Sequence, residues 1–226
     1  MPYTDVLPNE SAKGFRTIPE HTRRVYNFLA GVYPISSMLF HSRAHKTLLS
    51  LAGISSGMNV LEVATGSGEM FDRLMRANPS GMTCGIDMAP NMAARTQRMA
   101  AKNLPRIRAH CQAVDARSIP FRDESFDAVV SCYLLELLCR EDIIRTMREM
   151  HRVLRPGGRV ALVLIGQDLP AFNAWYKIIS TLAPAFLGPQ MENSIPDLLD
   201  TCGFRLEHDK RVVQTCYPSR VVVAQR

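Results

Sequence analysis

The chain has 226 residues, 46% of them hydrophobic and 21% charged. That balance belongs to a globular protein and excludes a disordered chain, a collagen-like repeat and a heptad-only coiled coil. The formal charge is +6, carried mostly by arginines spread without a block of like charge. Such a field attracts anionic lipids, nucleic acid or acidic small molecules, and it is equally that of a plain solvated surface. No apolar run approaches the roughly 20 residues that span a bilayer. The first residues, Met-Pro-Tyr-Thr-Asp, carry no signal-like apolar stretch. The six cysteines form no CxxC pair, which predicts reduced, buried thiols in a cytoplasmic protein.

In chain order, residues 1–22 show little periodicity and read as a flexible arm. Residues 23–57 read as a helical N-terminal cap, with Val25, Phe28, Leu29 and Val32 on one face and a break at Tyr33-Pro34. Residues 58–226 then alternate strands and helices. Met58–Ala64 is an apolar strand running into a glycine loop, and residues 69–77 form a helix closed by Pro79 and Gly81. Met82–Asp87 is a second strand. Pro90–Lys102 is a helix with proline in its first turn. Ile107–Val114 and Phe126–Ser131 are strands three and four. Residues 141–154 form an amphipathic helix with Ile143, Ile144, Met147, Met150 and Leu154 on one stripe. Arg155-Pro-Gly-Gly158 is a turn before a fifth strand, Arg159–Ile165. An apolar helix over 171–187, a short helix over 196–202 and strands near 204–214 and 219–225 complete the chain. This alternation predicts an α/β fold with a parallel sheet and right-handed crossovers.

The first strand leads into Glu62-Val-Ala-Thr-Gly-Ser-Gly68. Glycines at such a turn let a ligand approach the backbone, and the helix N-terminus beyond favours an anionic group. The second strand ends at Asp87, where a carboxylate can accept both hydroxyls of a ribose. A dinucleotide site needs a third glycine, but Phe71 stands there; no P-loop pattern is present either. The remaining adenosine cofactor is S-adenosyl-L-methionine.

Glu62-x-Ala64-x-Gly66-x-Gly68 resembles the first motif of the class I S-adenosylmethionine-dependent methyltransferases, departing at Ala64. Further motifs follow in register: Gly85-Ile-Asp87-Met-Ala-Pro-Asn-Met92, Asp115-Ala-Arg-Ser-Ile-Pro-Phe121 with Phe126-Asp127, and Arg152-Val-Leu-Arg-Pro-Gly-Gly-Arg-Val160. The resemblance implies a Rossmann-like, seven-stranded, mostly parallel sheet with an antiparallel last strand and helices on both faces. It also implies that Glu62, Ala64, Gly66 and Gly68 form the cofactor loop, that Asp87 holds the ribose and that Met88 flanks the adenine. Asp115 would accept the adenine amino group, the Ala116 amide would face the ring, and Ser131 and Cys132 would line the junction with the acceptor. Asp87 and Asp115 also fit as helix caps, Met88 and Met92 as core residues, and Asp127 as a structural residue. Tyr26-Asn-Phe-Leu-Ala30-Gly-Val-Tyr33 resembles a pattern of the ubiquinone/menaquinone and phospholipid methyltransferase group, with Asn27 and Pro34 in place of acids. By that resemblance Tyr33 sits over the methionine end of the cofactor.

Methyl transfer needs alignment and exclusion of water more than a catalytic motif. The product would be S-adenosyl-L-homocysteine. Tyr133, Glu136 and His41 are the side chains that can orient or deprotonate an acceptor. His41 and His45 lie four apart without a neighbouring acid in sequence, and no metal site is expected. The acceptor is read as a small hydrophobic or lipid-like molecule such as a phospholipid amine, with C- or O-methylation of a quinone or phenol as the alternative. Peripheral membrane contact suits either acceptor. A nucleic-acid methyltransferase is permitted by the charge, but no appended binding module supports it, so no nucleic-acid partner is expected. A non-catalytic cofactor-binding protein is the remaining alternative.

Overall fold

The protein is described from a computed structural model, which places residues 42–166, 195–214 and 218–226. The expected arm, the front of the cap and the apolar helix at 171–187 lie outside the described residues. Within them the order is α1 (Ser42–Ala52), β1 (Asn59–Val63), α2 (Glu69–Ala77), β2 (Met82–Asp87), α3 (Pro90–Asn103), β3 (Arg108–Ala113), β4 (Phe126–Cys132), a single 3-10 turn (Leu135–Leu137), α4 (Arg140–Val153), β5 (Leu154–Ile165), α5 (Ile195–Thr201), β6 (Arg205–Val212) and β7 (Ser219–Gln225).

Seven strands form one sheet in the order β3-β2-β1-β4-β5-β7-β6. The first five are parallel, and β7 runs antiparallel between β5 and β6. This is the expected class I methyltransferase architecture. The period of two sorts the central strands onto two cores. Leu61, Val63, Val129 and Leu162 face one side with Ile143, Met147 and Met150 of α4 and Leu198 and Leu199 of α5. Val60, Val130, Val163 and Val221 face the other, with Ala44 and Leu48 of α1 and Leu74 of α2. Successive strands step one way from β1 to β3 and the other way from β4 to β5. The crevice between the C-terminal ends of β1 and β4 is therefore the natural ligand site.

One turn differs from its sequence reading. Strand β5 begins at Leu154, and Arg155–Gly158 is spliced into the sheet as the register jumps from Phe126↔Leu154 to Ala128↔Arg159. Gly157 takes φ 80, its N–H donates to the Arg226 carbonyl, and the Arg226 N–H donates to the Gly158 carbonyl. The chain terminus thus supplies the partners that an isolated turn would lack.

At this same edge of the sheet the buried Asn78 fastens α2 to the start of β1. Its Oδ1 accepts from the N–H of Gly57 (2.9 Å) and Met58 (3.1 Å), and its Nδ2 donates to the Met58 carbonyl (2.8 Å). Replacing Asn78 with alanine is expected to cost about 2–3 kcal/mol, because buried backbone groups lose their partners. Urea unfolding of the variant against the parent measures it.

Candidate active site

The loop after β1 stays pressed against β2: the amides of Ala64 and Thr65 both donate to the Ile86 carbonyl, at 2.8 and 3.2 Å. Ala64, Gly66 and Gly68 all lie in the left-handed region, with φ 65, 50 and 84. At residue 68 the φ of 84 favours glycine, and a Cβ would also crowd Thr96 Oγ1 at 3.0 Å and the end of the Met99 side chain. At Gly66 a Cβ would meet nothing within 4 Å, so that side of the loop is open. The amide of Gly66 donates to Asp87 Oδ2 (2.8 Å), and the amide of Ala89 donates to Asp87 Oδ1 (2.8 Å). Burial pushes the Asp87 carboxyl up, while these two amides pull it back. Two of its lone-pair directions remain for a ligand.

Beside this loop Met88 is half-buried, whereas Met92 is sealed in the core at 1% exposure. Asp115 sits on the loop after β3, but both its oxygens engage Arg117 (Nε at 3.0 Å to each, Nη2 at 2.6 Å to Oδ2). Arg117 also reaches Asp142 at 2.9 Å, and it holds the Asp115 carboxyl below the ordinary range. Ala116 packs at the margin of the α4-side core. Asp127 is structural: it accepts the Asn59 amide at 2.7 Å and pairs with Arg155.

Carboxylates gather near the C-terminal ends of β1 and β4, close enough to act on one another and on Cys132. Glu62 is 1% exposed, and its Oε2 has no hydrogen-bond partner. Burial, then Asp87 and Glu69, push its pKa well above the usual range. Glu69, which burial would push up, is instead held below its ordinary value by His45 and Arg73. The contacts are 3.6 Å from His45 Nδ1 and 3.0 Å from Arg73 Nη2. His45 therefore does have an acid beside it, contrary to the sequence expectation. Glu69 belongs to the first turn of α2, and only the fold brings it to α1. The Ser131 hydroxyl donates to the Val63 carbonyl (2.9 Å) and ties the end of β4 to the end of β1. Next to it, burial and then Glu62, Glu69 and Glu136 push the Cys132 thiol far up, so it stays protonated.

Of the three expected acceptor-side groups, His41 lies outside the described residues, as does Tyr33. Tyr133 adopts φ 55. Its hydroxyl shares a hydrogen bond with Ser219 Oγ (2.8 Å) and accepts from Gln214 Nε2 (3.3 Å). Gln214 in turn donates to Ser219 Oγ (2.7 Å) and accepts the Ala44 amide at its Oε1 (3.3 Å). That network, invisible in sequence, makes the phenol a strut between β4, the β6–β7 hairpin and α1. Glu136, on the 3-10 turn, is 2% exposed. Its Oε1 accepts the Ile165 amide at 2.6 Å, and its Oε2 has no partner. Burial pushes its pKa up to about 7, against the pull of that amide. Among the described residues no group of three or more His, Cys, Asp or Glu is placed to hold a metal ion, and no helix is long and apolar enough to cross a membrane.

Sheet order, a left-handed glycine loop at the end of β1 and a carboxylate at the end of β2 together define a class I methyltransferase. Comparison with known proteins agrees. A family described as "Methyltransferase domain" matches residues 60–158. A demethylmenaquinone methyltransferase from Roseiflexus castenholzii is 32% identical over 193 residues, covering 80% of this chain and 76% of that protein. A ubiquinone/menaquinone biosynthesis C-methyltransferase, UbiE, from Methylococcus capsulatus is 30% identical, covering 82% of this chain and 78% of that protein. Among solved structures, the N-methyltransferase NodS from Bradyrhizobium japonicum, in complex with S-adenosyl-L-homocysteine, superposes with a TM-score of 0.73. It shares 15% identity over 92% of this chain and 99% of that one, a likeness of fold. The chain belongs to the S-adenosylmethionine-dependent methyltransferase family.

The raised Glu136 carboxyl has a consequence for stability. In the folded chain it holds its proton to about pH 7, against an ordinary value of 4.5, so folding takes up a proton between those limits. Stability present below the ordinary value is lost as the pH rises through about 7. Relative to a Glu136→Gln variant, the parent should lose about 3 kcal/mol between mildly acid and mildly alkaline pH. Denaturant unfolding of both proteins at about pH 5 and about pH 8 reads the difference.

Proposed function

We propose that this chain transfers the methyl group of S-adenosylmethionine to a ring carbon of a hydroxylated aromatic acceptor of the quinol type, carrying an apolar tail. The observation that carries this reading is the pair of quinone-pathway relatives at 32% and 30% identity, each aligned over more than three quarters of its own length. They favour the aromatic acceptor over the phospholipid amine. The sequence beyond β5, with Phe172, Trp175, Tyr176, Ile179 and Leu182, supplies apolar side chains suited to such a tail.

The residues of the crevice fit the cofactor. Gly66 leaves one side of the loop open, and Asp87 keeps lone pairs for the ribose hydroxyls. Glu62 presents a buried oxygen with no partner, and Glu69 and Glu136 share its crevice, a setting complementary to a cationic ligand. Once bound, the cofactor supplies an electrophilic methyl group on a positively charged sulfur. Asp87 and the Gly66–Gly68 loop hold the nucleoside, Met88 and Ala116 flank the base, and Asp115 meets the adenine amino group while still paired with Arg117. Ser131 and Cys132 line the junction, where a protonated thiol is no competing nucleophile. Tyr33 remains assigned to the methionine end through the resemblance of its motif. Peripheral contact with a membrane would deliver a tailed acceptor.

Two measurements test this reading. Calorimetric titration with S-adenosylmethionine should show Asp87→Ala weakened by about 1.5–3 kcal/mol, the scale of a lost hydrogen-bond partner to a charged group. Unchanged affinity in a folded variant removes Asp87 from the site. In parallel, release of S-adenosylhomocysteine is followed with a reduced, prenylated naphthoquinone lacking its ring methyl and with phosphatidylethanolamine vesicles. Turnover is expected on the first; turnover on the amine alone overturns the proposal.

A further inference from the structure

Three carboxylates keep one buried oxygen without a partner, Glu62, Glu69 and Glu136, and Glu136 is the one among them whose other oxygen is held by a backbone amide. Glu136 sits on the 3-10 turn that follows β4, beside the C-terminal end of β5. One oxygen is anchored at 2.6 Å by the Ile165 amide, which fixes the orientation of the group. The other oxygen is buried and has no partner. Leaving such an oxygen unpaired is unfavourable, and natural cores rarely do so without a ligand to complete the site.

We propose that Glu136 is the proton acceptor for the ring hydroxyl of the methyl acceptor. This inference rests on the reading of the acceptor as a hydroxylated aromatic. Most of the other polar groups at this edge are engaged with partners or hold their protons. The Tyr133 hydroxyl is tied to Ser219 and Gln214, the Ser131 hydroxyl donates to Val63, and Glu69 is paired with His45 and Arg73. Cys132 holds its proton and is a poor base. Glu62, on β1, is pushed well above the usual range by burial and then by Asp87 and Glu69, so it holds its proton.

A base working at neutral pH is most effective when its own pKa lies near that pH, and burial places Glu136 at about 7. The titratable group that feels it directly is Cys132 at the end of β4, which also feels Glu62 of β1 and Glu69 of α2, the latter paired with His45 of α1; Tyr133 follows Cys132. The C-terminal half of β5, Val160–Ile165, brings no titratable side chain. The step balances as follows. The acceptor O–H bond breaks, its proton passes to the free Glu136 oxygen, and the electron pair left on the ring oxygen shifts to the ring carbon. That carbon forms the bond to the methyl, and the pair of the broken carbon–sulfur bond stays on sulfur. The ring hydrogen then leaves to solvent as a proton, its pair restoring the aromatic ring and the phenolate. The phenolate recovers the proton from Glu136, which returns to a carboxylate.

The test uses the full chain with Glu136→Gln, which keeps the volume and an oxygen for the Ile165 amide but no longer accepts the proton. Two acceptors are compared: a hydroquinone with an ordinary phenol, and one with electron-withdrawing substituents whose hydroxyl is already ionised in the assay. On the ordinary phenol, kcat should fall about 10²–10⁴-fold with KM little changed, and the rise of rate through neutral pH should disappear. On the ionised acceptor the variant should keep most of its rate. Absorbance supplies a readout apart from turnover: the spectrum of a chromophoric phenol bound to the parent should shift as Glu136 titrates near pH 7, and bound to the variant it should not. Calorimetry with the cofactor alone checks that the variant is folded and loaded. Equal losses on both acceptors, or an unchanged pH profile, overturn the proposal while leaving the proposed function standing. A parent enzyme that methylates amines and no hydroxylated aromatic overturns both.

Discussion

Asp87 is gripped from two directions, by the amide of Gly66 in the loop after β1 and by the amide of Ala89 at the head of α3. That grip makes one rigid body of two loops that only meet because β1 and β2 are parallel neighbours. It sets strict local demands. Gly66 must turn left-handed for its amide to face β2, and Gly68 must turn left-handed for α2 to start close to Thr96. Residue 85 must lack a Cβ, since one there would fall 2.7 Å from Thr65 Cγ2 and 2.8 Å from Phe71 Cε2. The glycines are thus spaced by contact with neighbouring strands and helices as much as by the needs of a ligand.

The charge of the chain and the charge of its site have opposite signs. The excess of arginine is spent at the periphery, in pairs such as Arg152 with Glu149 and Asp123, Arg159 with Glu207, and Arg220 with Asp209. Exposed pairs of this kind contribute little individually and are screened by salt. The ends of β1 and β4 instead gather Glu62, Glu69 and Glu136 around the Cys132 thiol, which burial first and then their field keep protonated, with Asp87 acting on Glu62. Buried carboxylates are unfavourable by themselves, and the raised pKa values of Glu62 and Glu136 relieve part of that cost. The net charge of +6 therefore gave no guide to the ligand; the local field does.

The strand–helix alternation, the loop from Glu62 to Gly68 and the carboxylate at 87 were legible because each depends on residues close in sequence. The apolar run of Met58–Ala64 and the strand read over Phe126–Ser131 marked strands that the structure buries on both faces. What escaped was long-range. Asn78 carries no motif, yet it holds the loop before β1 to the end of α2. The pairing of His45 with Glu69, the fork of Arg117 over Asp115 and Asp142, and the strut through Tyr133, Gln214 and Ser219 all join residues that periodicity cannot associate. Tyr133 and Glu136 looked alike in sequence as proton-transfer groups. Only their partners separate them.

Those partners also explain why the chain bends where it does. A tyrosine with φ 55 carries backbone strain of about 1–3 kcal/mol, and such a conformation persists only where its surroundings over-determine it. Here the Tyr133 amide donates to Val163 on β5 at 2.8 Å, while the ring oxygen is fixed by Ser219 at the start of β7 and by Gln214 before it. Gln214 extends the same network to the backbone of α1 through Ala44. The strain turns the chain sharply off β4 and into the 3-10 turn, three residues ahead of Glu136. The antiparallel hairpin and the first described helix thus act together on the segment after β4, by fixing the turn from which Glu136 meets the Ile165 amide at the end of β5.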